Sequence, residues 1–156
     1  MAVTLNHTGF IVNDLDSAIE FYRDALGLDL ERTADSSSPG LSSIVGYDNA
    51  RLRAAFLVGA DGHTLELIQY VNPAGEPVDP EIQHKRARYG AAHLCFKVRD
   101  IDGTKLNAPV TVFDGVSACY LQEPDGNWIE LIESDPNKRQ PFTIRQNLRI
   151  PAPTET

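Results

Sequence analysis

Two stretches of the chain repeat each other, and this restricts the fold more than any other feature. Asp61-Gly62-His63-Thr64-Leu65-Glu66-Leu67-Ile68 is echoed by Asp125-Gly126-Asn127-Trp128-Ile129-Glu130-Leu131-Ile132 at an offset of 64 residues. Nearer the start of each half, His7 lies five residues before Val12, and His93 lies five before Val98. Asn13-Asp14-Leu15-Asp16 likewise parallels Arg99-Asp100-Ile101-Asp102, both at an offset of 86. The offsets differ because the first half carries longer loops. Self-similarity at fixed offsets means one supersecondary unit built twice. In strand geometry alternate side chains share a face. Leu65 and Leu67 then oppose Thr64, Glu66 and Ile68, and Ile129 and Leu131 oppose Trp128, Glu130 and Ile132. A carboxylate in an apolar strand is costly to bury unless something compensates it. Glu66 and Glu130 therefore mark either a solvated sheet face or a site.

The periodicity supplies the rest of the unit. Residues 5–12 read as a strand, with His7, Gly9 and Ile11 on one face. Asn13-Asp14 offers a cap, and Ala18, Phe21, Tyr22, Ala25 and Leu26 recur at helical spacing up to the stop at Gly27. Residues 35–40 have loop composition, and strands are predicted at about 41–47 and 51–58, before the Glu66 strand. The first half is thus β-α-β-β-β. Asp79-Pro80 starts a connector helix reaching to about Tyr89, which carries the densest basic cluster, Lys85, Arg86 and Arg88. That cluster is either a solvated helix face or a dock for an anionic substrate group. The second half predicts a strand from His93 to Val98, a short helix over 101–107, and strands at about 109–113, 117–122 and 127–133.

The reading is an α+β chain of two βαβββ modules related by a pseudo-twofold axis. The first module spans 1–71, a connector 72–90, the second module 91–134, and a tail 135–156 that wraps a partner or is partly disordered. Each module contributes a His from its first strand and a Glu from its last. His7, Glu66, His93 and Glu130 can converge at the axis. Imidazole nitrogens with carboxylate oxygens suit one divalent ion of Fe, Mn, Co, Ni or Zn. Four protein ligands leave two octahedral positions for water or substrate, and the ion compensates the carboxylates. Taken singly, each His also fits a hydrogen-bonded strand residue.

The formal charge of −8 argues against a general nucleic-acid or anionic-membrane surface, while leaving room for a local basic pocket. No apolar run resembles a signal peptide or is long enough to span a bilayer. Cys95 and Cys119 are too few and too far apart for a disulfide framework, so a cytoplasmic, reducing location is expected and both thiols read as small buried residues. Tyr47, Phe56, Tyr120 and Trp128 are candidates to line a substrate cavity, with core packing as the alternative. Arg51 and Arg53 share one strand face and can together read an anionic handle, with ordinary surface charge as the alternative.

These motifs resemble the vicinal oxygen chelate superfamily, which includes glyoxalase I, methylmalonyl-CoA epimerase, extradiol dioxygenases, and fosfomycin- and bleomycin-resistance proteins. The likeness rests on His7-Thr8-Gly9-Phe10-Ile11-Val12-Asn13-Asp14-Leu15, on Phe21-Tyr22 through Leu26-Gly27-Leu28, on His93-Leu94-Cys95-Phe96-Lys97-Val98, and on Pro124 through Leu131. It covers roughly residues 4–134 and implies an open, half-barrel-like sheet around the metal. The superfamily's metal positions fall on His7, Glu66, His93 and Glu130. The shared chemistry is bidentate chelation of two vicinal oxygens, with the metal as Lewis acid. The resemblance implies a divalent-metal isomerase or lyase of the glyoxalase I or epimerase type, which stabilises an enediolate-like intermediate of a small carbonyl substrate. Glu130 would be the proton-moving base, with Glu66 on the opposite face. The alternatives are an extradiol-type or other dioxygenase, and a drug- or metabolite-binding protein without turnover. A homodimer is also implied. The chain departs from glyoxalase I at Ile11 and Tyr70, where that family commonly carries Arg and Asn.

Overall fold

A computed structural model describes residues 3–99, 108–113 and 115–134. In chain order the elements are β1 (His7–Ile11), α1 (Leu15–Glu20), a π-helical turn (Phe21–Ala25), β2 (Asp29–Ser37), α2 (Pro39–Val45), β3 (Arg51–Val58) and β4 (Thr64–Asn72). They are followed by α3 (Pro80–Gln83), β5 (His93–Lys97), β6 (Val110–Phe113), β7 (Val116–Gln122) and β8 (Trp128–Ser134). The expected helix at 101–107 and the tail at 135–156 lie outside the described residues.

The strands form two open four-stranded sheets of identical order, β1-β4-β3-β2 and β5-β8-β7-β6. In both, the first strand of a module lies beside its last, as a duplicated unit requires. β1 runs parallel to β4, and β3 is antiparallel to both β4 and β2. The buried positions show the same phase in the two halves. Ala55, Leu57, Leu65 and Leu67 are buried in the first sheet; Cys119, Leu121, Ile129 and Leu131 are their counterparts at the offset of 64 in the second.

Local chemistry explains the helices. The Asp14 carboxylate caps α1 by accepting from Asp16 N and Ser17 N, both at 3.0 Å. The amphipathic face then buries Leu15, Ala18, Ile19 and Tyr22, and α1 packs on β3 and β4. The strand expected at 41–47 is instead helix α2. Ser38 Oγ accepts from Leu41 N at 3.0 Å, Pro39 opens the helix, and Gly46, with φ +77°, ends it in the left-handed region. Leu41, Ile44 and Val45 lie at helical rather than strand spacing. The second strand of the module is β2, which absorbs Asp35–Ser37 from the expected loop. The connector helix is one turn, α3, and does not reach Tyr89.

The described residues divide into two compact units. One runs up to Leu94 and takes in Tyr120–Ile129; the other begins at Cys95, reaches Cys119 and resumes at Glu130. Within the first, the β7–β8 turn grips the end of β1. Asp125 Oδ2 accepts from Asn13 N at 2.9 Å, and Asn127 Nδ2 donates to Ile11 O at 3.1 Å. No helix among the described residues is long and apolar enough to cross a membrane.

Glu123 organises that turn from a buried position, 3% exposed. Its Oε1 accepts from Asp125 N, Asn127 N and Asn127 Nδ2 at 3.1, 2.8 and 2.9 Å, while Oε2 has no hydrogen-bond partner among the described residues. Desolvation outweighs the donated hydrogen bonds and raises its pKa above the ordinary 4.5. The folded chain therefore holds that proton more tightly than the unfolded chain. The resulting stability is fully present below the ordinary value and is lost as pH rises through the raised one. Glu123→Gln keeps Oε1 as an acceptor and is expected to flatten this fall in the urea midpoint. Leu67→Ala, at a position 0% exposed, is expected to cost about 2–5 kcal/mol in the same titrations. Ile44→Ala, at 83% exposed, is expected to change stability by less than about 0.5 kcal/mol.

Candidate functional site

The parallel β1–β4 register sets Gly9 opposite Glu66 and His7 opposite Thr64, so His7 and Glu66 share the sheet face away from Leu65 and Leu67. His7 Nε2 lies 3.0 Å from Glu66 Oε2, with the ring 41% and the carboxylate 18% exposed. On its other side the ring meets Asn6 Oδ1 at 2.7 Å. The ring is thus held from both sides, by the Asn6 amide and by the Glu66 carboxylate. The same row of the sheet continues through Phe56, the antiparallel partner of Glu66, to Arg32, the partner of Phe56. The Arg32 guanidinium sits 3.5 Å from the Phe56 ring centre.

The second half builds a related face. Val12 N donates to Ile68 O and Val98 N donates to Ile132 O, both at 2.9 Å. The matching bonds join the end of β5 to β8 as the end of β1 is joined to β4. His93 Nε2 is 3.4 Å from the Tyr120 hydroxyl, and the two rings meet edge to face at 5.2 Å. Tyr120 meets Trp128 in the same manner at 6.3 Å. The Arg86 guanidinium lies 4.4 Å from the Tyr120 ring centre and 5.0 Å from that of Trp128. A pocket of about 250 Å³ opens here, lined by Arg86, Ala91, Ala92, His93, Tyr120 and Trp128. Glu130 lies beside the Cys95 thiol on β5. Cys95 is exposed as a residue rather than buried as expected, and only Cys119 is buried. Desolvation around its sulfur, with the charge and hydrogen bond of Glu130, pushes Cys95 up to about 12, which makes it a poor nucleophile.

Several expected residues stand elsewhere. Arg51 pairs with Asp35 in a two-pronged contact of 2.9 and 2.8 Å, and this holds the Asp35 carboxyl below its usual range. Arg53 binds Asp16 at 3.0 Å and Gln69 at 3.1 Å. Both arginines share strand parity with Ala55 and Leu57, the face on which α1 packs, so they lie on the side of the sheet opposite Glu66 and Phe56. Their charge is spent on tying α1 and β2 to β3. Tyr47 is half exposed and packs edge to face against Tyr70 at 5.8 Å. The pocket residue that sequence patterning left undifferentiated is Arg86, one of three basic residues in the connector. Arg32 carried no signal at all, because its stacking on Phe56 depends on strand pairing.

Among the described residues, no group of three or more His, Cys, Asp or Glu side chains stands close enough to hold a metal ion. What the structure brings together is His7 with Glu66. Two ligand atoms each about 2.1 Å from one ion and at right angles lie about 3 Å apart. The 3.0 Å separation of Nε2 and Oε2 matches that spacing. By type and spacing, these two donor atoms suit a divalent ion.

A family profile described as the Glyoxalase/Bleomycin resistance protein/Dioxygenase superfamily matches residues 4–131. The chain is 28% identical to a 2-epi-5-epi-valiolone epimerase of Actinomyces, over 97% of this chain and 90% of the relative. It is 30% identical to the lactoylglutathione lyase of Escherichia coli O157:H7, over 83% of this chain and 91% of the relative. A glyoxalase family protein of Bacillus cereus shares its fold, with a TM-score of 0.76 and 23% identity over 86% of this chain and 95% of that one.

Proposed function

Because the chain belongs to the glyoxalase/bleomycin resistance protein/dioxygenase superfamily, we propose that it is a divalent-metal-dependent isomerase or lyase acting on a small carbonyl compound with vicinal oxygens. The observation that carries this reading is the 3.0 Å approach of His7 Nε2 to Glu66 Oε2; His93 and Glu130 hold the corresponding places in the repeated sequence. His7, Glu66, His93 and Glu130 are the proposed ligands of one ion of Fe, Mn, Co, Ni or Zn. When bound, the ion supplies a Lewis acid that takes up negative charge on two adjacent substrate oxygens.

The rest of the chemistry belongs to side chains. A carbonyl acidifies the neighbouring C–H, and a carboxylate within reach removes that proton and returns it. Returning it to the opposite face of the same carbon is an epimerisation; returning it to the neighbouring carbon moves the carbonyl. One machinery thus covers both kinds of relative, an epimerase and a lactoylglutathione lyase. Glu130 is the proposed base, and Glu66 serves the opposite face. Asn6 keeps the His7 ring turned towards Glu66. Tyr120 and Trp128 supply the apolar wall beside His93. A homodimer is proposed as the assembly.

Chelator-treated protein titrated calorimetrically with Ni(II), Co(II), Mn(II), Fe(II) and Zn(II) is expected to take up one ion per site. His7→Ala and Glu66→Gln are each expected to weaken uptake about tenfold or more. In deuterium oxide, the loaded protein is expected to exchange the α-proton of methylglyoxal hemithioacetal or of a 2-hydroxy ketone. Glu130→Gln is expected to slow that exchange by roughly 10²–10⁴-fold. Protein that takes up none of these ions, or exchange unaffected by Glu130→Gln, would overturn the assignment.

A further inference from the structure

We propose that the pocket beside His93 is a carboxylate subsite, in which Arg86 reads an anionic group on a small substrate. The inference deepens the functional reading and rests on it in one respect, that the His93 side of the second sheet is where substrate lies.

Arg23, Arg51 and Arg53 are each within 3.0 Å of a carboxylate oxygen, of Asp24, Asp35 and Asp16 respectively. Arg86 makes no ion pair among the described residues. Its guanidinium instead faces Tyr120 at 4.4 Å and Trp128 at 5.0 Å. Ring faces attract a cation without consuming its N–H donors. A stacked guanidinium therefore keeps its charge and its planar donor edge, which matches a carboxylate in two parallel hydrogen bonds. None of the lining residues carries a carboxylate that would compete, and Ala91 and Ala92 leave the pocket open.

The segment that carries Arg86 is anchored at its start. Gln83 accepts the Trp128 indole N–H through its backbone oxygen at 3.0 Å, and its side chain donates to Asp125 O. Gly126, opposite, has φ +86°, and a Cβ there would overlap the Gln83 side chain. The connector is thus pinned to the β7–β8 turn three residues before Arg86.

The contact also occurs twice. Phe56 and Tyr120 are equivalent at the offset of 64, and each carries a guanidinium on its ring, Arg32 and Arg86. Arg32 comes from β2 and Arg86 from the connector, so duplication of the unit does not explain the coincidence. A short-chain acid fits a pocket of about 250 Å³. In a chain of formal charge −8 a free anion needs a local cation to enter.

Trp128 is the sole tryptophan, so its emission reports on this pocket. Full-length, chelator-treated protein would be titrated at constant ionic strength with lactate and malonate. Lactamide serves as the uncharged match for lactate, and inorganic phosphate as a different anion. Lactate or malonate is expected to change the emission saturably, and lactamide is not. Arg86→Gln is expected to weaken that binding about tenfold or more. Arg86→Lys, which keeps the charge and loses the planar fork, is expected to fall between. Arg51→Gln, on the opposite face of the first sheet, is expected to match the parent protein. Thermal midpoints confirm that each variant is folded. No saturable change with either acid, equal affinity in Arg86→Gln, or tighter binding of phosphate than of both acids would overturn the proposal. Because the titration uses metal-free protein, its failure with metal uptake intact rejects the subsite alone. Failed uptake with intact carboxylate binding rejects the metal reading alone.

Discussion

A backbone hydrogen bond from Val12 N to Ile68 O closes the first strand of one module against its last, and Val98 N to Ile132 O does the same in the other, both at 2.9 Å. Side chains on a strand alternate faces, so a slip of one residue on β4 would send Glu66 into the layer of Leu65 and Leu67 and bring those leucines into water. The cost of that exchange is several buried aliphatic side chains at about 1.5–3 kcal/mol each, plus an uncompensated carboxylate. The register is therefore held by the core, and the site inherits its geometry from it. His7 meets Glu66 because Leu65, Leu67, Ala55 and Leu57 have nowhere else to go.

This dependence explains which parts of the molecule could be read from the chain. The duplicated unit was legible because a period-two pattern with one carboxylate in it, occurring twice, has few explanations. The shared face of His7 and Glu66 follows from it, whereas the order of the strands does not, because periodicity fixes faces and not neighbours. Helix α2 was less legible, because Leu41, Ile44 and Val45 are apolar on either reading, and the decisive signal was the Ser38-Pro39 start with Gly46 as the stop. The phase of β3 was readable at Phe56, but what faced Arg51 and Arg53 was not. Their partners, Asp35 and Asp16, are distant in sequence and come close only when β2 pairs with β3 and α1 packs on it.

The basic connector shows the same limit from the other side. Lys85, Arg86 and Arg88 are indistinguishable as a charge cluster. The fold separates them by placing Arg86 over two rings of a sheet face reached only through β7 and β8. Exposure alone would not have selected it, since the whole segment from Lys85 to Gly90 is exposed. The selection comes from the anchoring of Gln83 to the β7–β8 turn, a turn that Glu123 shapes with three accepted hydrogen bonds.

The division of the arginines sets what each can do. A guanidinium held by a carboxylate is already neutralised, and taking it away to bind a ligand would forfeit that pair. A guanidinium held by a ring loses little when an anion arrives, because the ring attracts its face and the anion its edge. Arg51 and Arg53 thus stabilise the framework, and Arg32 and Arg86 remain available on faces that also present Glu66 and His93. A face holding only carboxylates and imidazoles would repel an anionic substrate until a metal entered. A stacked arginine beside the same residues attracts one with or without the ion, so in the proposed function substrate capture and proton transfer depend on different side chains.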